Sequence, residues 1–142
     1  MKKLVSIILF FILFTSQAQE ADFIGKWVHT HTDYYSNDKL DNIEKAVPNK
    51  KCVSYIEFTK EGQIIPQMYS LDCSKQKDNP GTYKYNDGFW TLSQKNETYN
   101  VKLITGDNND LQMIMEIKGE EGFIKKIIVN FLKYDYFIVL NE

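Results

Sequence analysis

Alternation of apolar and polar residues with a period of two runs through most of this chain and constrains its fold more than any other feature. In residues 97–105, ETYNVKLIT, the side chains of Tyr99, Val101 and Leu103 fall on one face and polar side chains fall on the other. Three later segments repeat the pattern: residues 111–118, 125–132 and 134–141. Such alternation is typical of strands that bury one face. The sequence therefore predicts an all-β protein.

Turn signals separate these runs at regular intervals. Asn86-Asp87-Gly88 is typical of a two-residue hairpin turn, because Asp and Gly both tolerate positive φ. Other turn-forming stretches lie at residues 61–62, 95–96, 106–109, 119–122 and 133–135. Counted from Phe23, the spacing predicts about eight or nine strands, the rhythm of an all-β barrel or sandwich. Since no repeat or linker interrupts it, residues 19–142 are predicted to form a single domain.

The first 18 residues have the features of an export signal. Two lysines precede an apolar run, residues 4–14, and small residues stand at Ser16 and Ala18 as at a signal-peptidase site. The apolar run is too short to cross a hydrocarbon core of about 30 Å. The sequence predicts a signal peptide over residues 1–18 and an exported protein, periplasmic or extracellular, with no stable membrane insertion after cleavage.

Charge and motifs exclude several functional classes. Removal of two lysines with the signal peptide lowers the formal charge from −2 to −4, whereas a nucleic-acid-binding domain needs a basic face. The chain contains no arginine, which disfavours sites that clamp phosphate or carboxylate in a bidentate fork. The sequence also lacks the motifs of serine hydrolases, phosphate-binding loops and zinc proteases. We predict a protein that is not an enzyme and binds no nucleic acid.

Two cysteines, Cys52 and Cys73, are the only ones in the chain. An exported chain with an even number of cysteines most simply pairs them. A metal site would need further ligands at tighter spacing, and free thiols remain the alternative. The predicted disulfide ties a hairpin that turns at Gly62, with Cys52 opening the second strand and Cys73 closing the third.

Several short motifs carry a family resemblance. Gly25-Lys26-Trp27 is similar to the glycine-x-tryptophan signature on the first strand of lipocalins. The ordered stretches CVSYIEFTKEG, YSLDC and PGTYKYNDGFWTL, within residues 52–92, resemble lipocalin-like domains of exported bacterial proteins. The resemblance implies an up-and-down antiparallel β-barrel of about eight strands, whose interior holds side chains or one small ligand. No late arginine is present to pack across Trp27, so we expect Lys126 or Lys133 in that place, and we expect no terminal helix.

One segment departs from the strand rhythm. Apolar residues in SNDKLDNIEKAVP, residues 36–48, recur at helical intervals, with Asn37 or Asp38 as a capping residue and Pro48 as a stop signal. The pattern predicts a short helix between the first and second strands, which needs an apolar surface to pack on. We expect it to form a lid over the open end of the barrel. Its predicted inward-facing stripe consists of Leu40, Ile43 and Val47.

Aromatic and methionine residues are candidates for the wall of a ligand cavity, although their abundance also suits the cross-strand packing of ordinary strands. His29 and His31 lie two residues apart and are expected on the same face as Trp27. With Asp33 or Glu57 they could bind a metal, an alternative to polar residues at the barrel mouth, and we predict no metal or cofactor. The candidate cavity residues are Trp27, His29, His31, Tyr69, Tyr83, Tyr99, Met113, Met115 and Tyr136.

These features predict a monomeric, exported, non-catalytic barrel that binds a small hydrophobic or amphipathic ligand. The alternative is a barrel with a filled core that acts as a protein-interaction module at the cell envelope. An interior void of about 300 Å³ or more favours the binding protein. A plugged interior with an exposed apolar patch on the outer wall favours the interaction module.

Overall fold

The computed structural model describes residues 22–141, and the predicted signal peptide, residues 1–18, lies outside the described residues. No helix between residues 22 and 141 is both long enough and apolar enough to cross a bilayer. A single turn of 3₁₀ helix, Glu120–Gly122, precedes the last strand. The other elements in chain order are β1 (Gly25–Ser36), β2 (Lys39–Lys45), β3 (Tyr55–Phe58), β4 (Gln63–Gln67), β5 (Gly81–Asn86), β6 (Phe89–Gln94), β7 (Glu97–Thr105), β8 (Asp110–Lys118), β9 (Ile124–Lys133) and α1 (Tyr134–Asn141).

Antiparallel pairing closes the strands into a barrel. Strands β3 to β9 each pair with the next in chain order, and β9 returns to pair with β1. Strand β1 pairs with β3 through its first residues and with β2 through its later residues. Eight strands, β1 and β3 to β9, therefore form the closed barrel, and β2 extends one edge of β1. The predicted up-and-down barrel of about eight strands is confirmed.

The turn between β5 and β6 shows how local sequence fixes the strand register. Asp87 and Gly88 have φ values of 47° and 86°. Two successive residues with positive φ form the type of turn whose twist matches that of the flanking strands. Asn86 is thereby paired with Phe89, and the predicted hairpin is confirmed.

The predicted helix between the first and second strands is wrong. Asn37 and Asp38 do not cap a helix; they have φ values of 46° and 63° and form the tight turn of a hairpin. The chain returns along β1 as β2, whose side chains are all exposed. Residues 36–48 thus belong to a hairpin extension of the sheet rather than to a lid helix.

A β-bulge explains why this strand has a helix-like pattern. In the register of the hairpin, Tyr35 lies opposite Leu40 and Asp33 lies opposite Ile43, so Asp41 is an extra residue on β2. The extra residue places Leu40 and Ile43 on one strand face although they are three positions apart. The spacing of three that predicted a helix therefore arises from a bulged strand.

The expectation of no terminal helix is also wrong. Residues 134–141 form α1, in which the apolar residues Tyr134, Phe137 and Ile138 pack against Val28 and Leu132 on the outside of the barrel. Because β9 already pairs with both β8 and β1, the closed sheet offers this segment no free edge. A helix satisfies its backbone hydrogen bonds internally and still buries an apolar face.

The disulfide is present. Cys52 and Cys73 are bonded, with their Cα atoms 5.5 Å apart. Cys52 precedes β3 and Cys73 follows β4, so the bond closes the base of the β3–β4 hairpin, which turns at Gly62 with φ of 80°. The predicted pairing is confirmed, although both cysteines lie just outside the strands rather than within them.

Candidate ligand-binding site

The face that each strand turns to the barrel interior follows from the most buried residues. Val101 on β7 is 1% exposed and belongs to the main core, so the alternating positions along β7 point inward with it. Val101 pairs with Trp90 on β6 and with Met115 on β8. Residues directly opposite in a sheet share a face, so this register identifies the inner face of three neighbouring strands.

One end of the interior is filled by aromatic side chains. Phe23, just before β1, contacts the rings of Phe58, Tyr83 and Trp90 with centroid distances of 5.4, 5.4 and 4.7 Å. Trp27 is buried beside them and donates an indole hydrogen bond of 2.7 Å to the carbonyl oxygen of Phe23. We call this aromatic cluster the closed end of the barrel.

Of the two lysines expected beside Trp27 in place of a lipocalin arginine, one lies next to it and the other does not. Lys133 is the backbone partner of Trp27 across the β1–β9 pair, which places it beside the expected position. Lys126 lies elsewhere, bonded to Asp38 at 2.7 Å and stacked over the ring of Tyr35. The indole N–H of Trp27 donates its hydrogen bond to the backbone carbonyl oxygen of Phe23.

Beyond the closed end, the inner wall is apolar and becomes progressively less buried. Met113, Met115 and Val129 pack against the core cluster and are half-buried. Ile127 pairs with Met115 and continues the same face. These side chains form the wall of a cup that opens away from the aromatic cluster.

The rim of the cup presents large side chains that face inward but remain open to solvent. Tyr99 and Ile117 are 45% and 53% exposed. They lie two residues beyond the cross-strand pair of Val101 and Met115, in the direction away from the aromatic cluster. Tyr85 is 50% exposed but belongs to the closed end, beside the β5–β6 turn, where its ring lies 5.0 Å from that of Trp90. An apolar inner face that is buried at its floor and exposed at its rim has the shape of an open cup.

Two tyrosine hydroxyls at this end are hydrogen-bonded to carboxylates. Tyr34 donates to Glu44 at 3.0 Å, and Tyr99 donates to Glu97. These bonds favour the protonated phenols and raise the pKa of both tyrosines. The open end therefore combines an apolar wall with a polar, hydrogen-bonding margin.

The two histidines lie on opposite faces of β1. His29 pairs with Phe131 and His31 pairs with the adjacent Asn130, so Thr30 is an extra residue on β1. This β-bulge reverses the alternation between the histidines. His29 points inward and contacts Phe131 with ring centroids 5.8 Å apart, whereas His31 points outward. The expectation that both histidines share the face of Trp27 is wrong.

The environment of each histidine differs accordingly. The ring of His29 lies 2.9 Å from the Thr32 hydroxyl, and burial lowers its pKa. His31 belongs to a polar group on the outer wall, where its ring is 3.8 Å from the carboxylate of Asp33. Asn130 donates to that same carboxylate at 3.1 Å.

The structure also separates the residues considered as metal ligands. His29 lies inside the barrel, whereas His31 and Asp33 lie outside it, and Glu57 pairs with Lys26 on the outer face. Within residues 22–141, no group of three or more His, Cys, Asp or Glu side chains is placed to hold a metal ion. Nothing about the histidine pair, therefore, supports a metal site.

The remaining predicted residues are spread over five places. Trp27 and Tyr83 belong to the closed end, and Tyr99, Met113 and Met115 belong to the cup. Tyr69 lies in the loop after β4, where it bridges to Lys75, and Tyr136 lies on α1 outside the barrel. Leu40, Ile43 and Val47 are exposed on or after β2 and do not cover the cup as a helix.

Sequence reasoning did not identify two residues of the cup, Ile117 and Ile127, or Trp90 at the closed end. Period-two alternation places all three on the inner face, two residues from an inward-facing neighbour or opposite one. The signal was therefore present in the sequence. It became readable only once the cross-strand register was known, because a register shift of one residue exchanges the two faces.

Two concave surfaces of known volume lie among the described residues, and the side chains of the cup line neither of them. One, of about 410 Å³, lies on the outer wall of β6, β7 and β8. The other, of about 500 Å³, lies between β4 and the segment 75–80. The side chains that line the first point away from the cup.

Comparison with known proteins identifies the fold. No family model matches the chain, and no curated protein does. Solved structures of crustacyanins, which are lipocalins, are similar to it. Lobster apocrustacyanin A1 is 15% identical, with a TM-score of 0.56 over 91% of this chain and 73% of that chain. Apocrustacyanins C1 and C2 are each 13% identical, with a TM-score of 0.54 over 86% of this chain and 69% of theirs. At such identities the likeness establishes the fold alone, a lipocalin-like barrel.

Proposed function

We propose that this chain is an exported, non-catalytic barrel that binds a small hydrophobic or amphipathic ligand in the cup at its open end. The observation that carries the proposal is the exposure gradient along the inner face. It runs from fully buried Val101, through half-buried Met115, to half-exposed Tyr99 and Ile117. Exposed apolar surface is unfavourable in water by about 25 cal/mol per Å², and a ligand that covered the wall would recover that free energy.

The lining of the cup indicates the chemistry of the ligand. Methionine and aliphatic side chains adapt to an apolar body of variable shape. The polar margin, with the Tyr34–Glu44 and Tyr99–Glu97 pairs, suits a hydrogen-bonding group that stays near the mouth. Since aromatic side chains already fill the closed end, the ligand occupies only the open half of the barrel.

Export is supported by the disulfide. Disulfides form and persist in oxidising compartments such as the periplasm and the extracellular space. The bond between Cys52 and Cys73 is therefore consistent with the predicted signal peptide over residues 1–18. Mass measurement of the protein recovered from its host tests this part of the proposal, since cleavage after Ala18 would leave a chain beginning at Gln19.

A second function has a specific observation in its favour. The closed end is filled, and several apolar side chains are exposed on the outer wall, among them Phe89, Ile104, Leu40 and Ile43. This combination fits an envelope protein that binds a partner through its outer surface. The two functions differ in which face is used, so variants of the inner and outer faces distinguish them.

Uptake of a neutral apolar fluorophore, N-phenylnaphthylamine, tests ligand binding. The double variant Tyr99→Asp with Ile117→Asp makes the rim polar and should abolish fluorescence enhancement. The control Leu71→Asp with Val139→Asp makes the same change at two exposed positions away from the inner face and should leave uptake unchanged. Equal uptake by both variants would contradict the cup, and native mass spectrometry of gently purified protein would reveal any retained ligand.

A further inference from the structure

The hairpin extension leaves one strand edge of the molecule open. Among the described residues, β2 (Lys39–Lys45) pairs with β1 and with no other strand. All of its side chains are exposed, so no neighbouring element buries it. The eight strands of the closed barrel, in contrast, have a neighbour on both sides. An uncovered edge of this kind is a template for pairing with another strand.

The hydrogen bonds to β1 show which residues of β2 face the free edge. Ala46, directly after β2, donates its backbone N–H to the carbonyl oxygen of Thr30 on β1 at 2.8 Å. Hydrogen-bonded and non-hydrogen-bonded positions alternate along an antiparallel pair. Counted back from Ala46, the backbone N–H and C=O of Ile43 therefore point away from β1.

The turn of the hairpin gives a matching result for the start of β2. Residues 37–38 form a two-residue turn, and Ser36 pairs with Lys39 across it. A hydrogen bond between the flanking residues closes such a turn, so the next residue, Leu40, directs its backbone groups to the free edge. Because of the bulge at Asp41, the side chains of Leu40 and Ile43 also lie on one face.

The sequence of β2 is complementary to itself when two copies run antiparallel. In one register, the facing pairs are Lys39 with Glu44, Leu40 with Ile43 and Asp41 with Asn42, each repeated by the two-fold axis. Facing pairs of opposite charge and of apolar side chains stabilise an antiparallel sheet. The two residues whose backbone groups face the free edge, Leu40 and Ile43, pair with each other in this register.

Charge also selects this register against its neighbours. A shift by one residue places Lys39 opposite Lys45 in one direction and Asp41 opposite a second Asp41 in the other. Like charges directly opposite each other are destabilising. In the described part of the chain Lys39 forms no ion pair, and Glu44 accepts a hydrogen bond from Tyr34 through one carboxylate oxygen, Oε2. The other carboxylate oxygen can accept from the lysine of a second copy.

We propose that two copies of this chain pair through β2, antiparallel about a two-fold axis, and form a homodimer with a sheet that continues from one barrel into the other. The contact uses the same edge on each copy, so it consumes both edges and stops at the dimer. Each copy contributes one strand of seven residues, so the interface is small and the dimer dissociates on dilution. The proposal replaces the sequence-based expectation of a monomer and does not depend on the cup.

Charge reversal, measured by sedimentation velocity over a range of protein concentrations, tests the register. Lys39→Glu opposes two carboxylates twice in each dimer and should weaken dimerisation at least about tenfold. Glu44→Lys opposes two ammonium groups and should weaken it similarly. An equimolar mixture of the two variants restores both pairs of opposite charge and should recover a heterodimer. The matched control Lys60→Glu makes the same charge change at an exposed position outside β2 and should leave the dimer unchanged.

A proline tests the backbone pairing separately. Ile43→Pro removes an N–H that faces the free edge and none that bonds to β1, which is the position where an edge strand tolerates proline. This variant should abolish the dimer, while circular dichroism shows that the barrel remains folded.

The outcomes decide the proposal. A dimer that each charge-reversed variant loses and their mixture recovers supports pairing through β2. A monomer at every concentration overturns the proposal, and so does a dimer that Lys39→Glu and Ile43→Pro leave intact, because another surface would then form it. Failure of the mixture to recover the dimer, or equal weakening by Lys60→Glu, also overturns it, since the effect would not come from the pair of Lys39 with Glu44.

Discussion

The two ends of the barrel differ in how deeply their side chains are buried, although the same strands form both ends. At the closed end, Phe23, Phe58 and Trp90 pack ring against ring and exclude solvent. At the open end, Tyr99 and Ile117 point into the same interior but stay about half exposed. Aromatic residues thus serve as core at one end and as an uncovered wall at the other.

This difference separates the part of the barrel that gives stability from the part where we propose that a ligand binds. Burial of large apolar side chains is the main favourable term in folding, so the closed end holds the barrel together. The rim contributes little to that burial and is free to contact a ligand. Variants at the two ends test this difference, because substitutions at the closed end should lower stability and substitutions at the open end should weaken binding.

The largest expected effect comes from truncation at the closed end. Phe58→Ala removes a side chain that is fully buried in the core and should lower the free energy of unfolding by about 3–5 kcal/mol. Tyr99→Ala removes a similar ring from the open end and should cost less than about 1 kcal/mol. Urea unfolding measures both changes. Equal losses would mean that the two ends do not differ as described.

The disulfide should have the next largest effect. It closes a loop between residues 21 positions apart, and its removal gives the unfolded chain more conformational freedom. Cys52→Ala with Cys73→Ala should lower the free energy of unfolding by about 3 kcal/mol. The same loss should follow reduction of the unmodified protein, and a stability independent of reductant would show that the bond is not formed.

The hairpin extension should tolerate polar substitution. Leu40→Asp with Ile43→Asp changes two exposed side chains on β2, and changes of this kind usually alter stability by less than about 1 kcal/mol. The strand signal in circular dichroism and the uptake of a neutral probe should both persist. Loss of probe uptake without unfolding would contradict this expectation and would support the predicted lid over the open end.

The smallest expected effect is a pH dependence from His29. Burial lowers the pKa of His29 from 6.5, so the unfolded chain binds a proton more readily than the folded chain. Stability should therefore fall as the pH drops below about 6.5 and should be restored as the pH rises through that value. His29→Gln should remove this dependence, and His31→Gln on the outer wall should preserve it. Thermal unfolding across pH 5 to 8 measures the effect.

The sequence predicts those elements whose pattern is local. The alternation in residues 97–105 matches β7 (Glu97–Thr105), and Asp87-Gly88 forms the predicted turn. The pairing of Cys52 with Cys73 was also predicted correctly. The strand and the turn depend on residue types within one short stretch, and the disulfide was predictable because the chain has only two cysteines.

The wrong predictions concern segments whose structure depends on how they pair with another strand. The bulge at Asp41 gives a strand the spacing of a helix, and the bulge at Thr30 separates two histidines that alternation places together. Residues 134–141 alternate as a strand does, but closure of the barrel by β9 leaves no edge for them. Bulges and closure are properties of pairing, which a pattern along one segment does not contain.

The central claim, that the open end is the ligand site, is tested most directly by filling the cup. Met115→Trp places a large ring on the inner face of β8, whereas Ile104→Trp places the same ring on the outer face of β7. Titration with N-phenylnaphthylamine should show an affinity at least about tenfold weaker for Met115→Trp and unchanged for Ile104→Trp, since only the first occupies the space of the ligand. Unchanged affinity for Met115→Trp, with loss in Ile104→Trp, would contradict the account and assign binding to the outer wall.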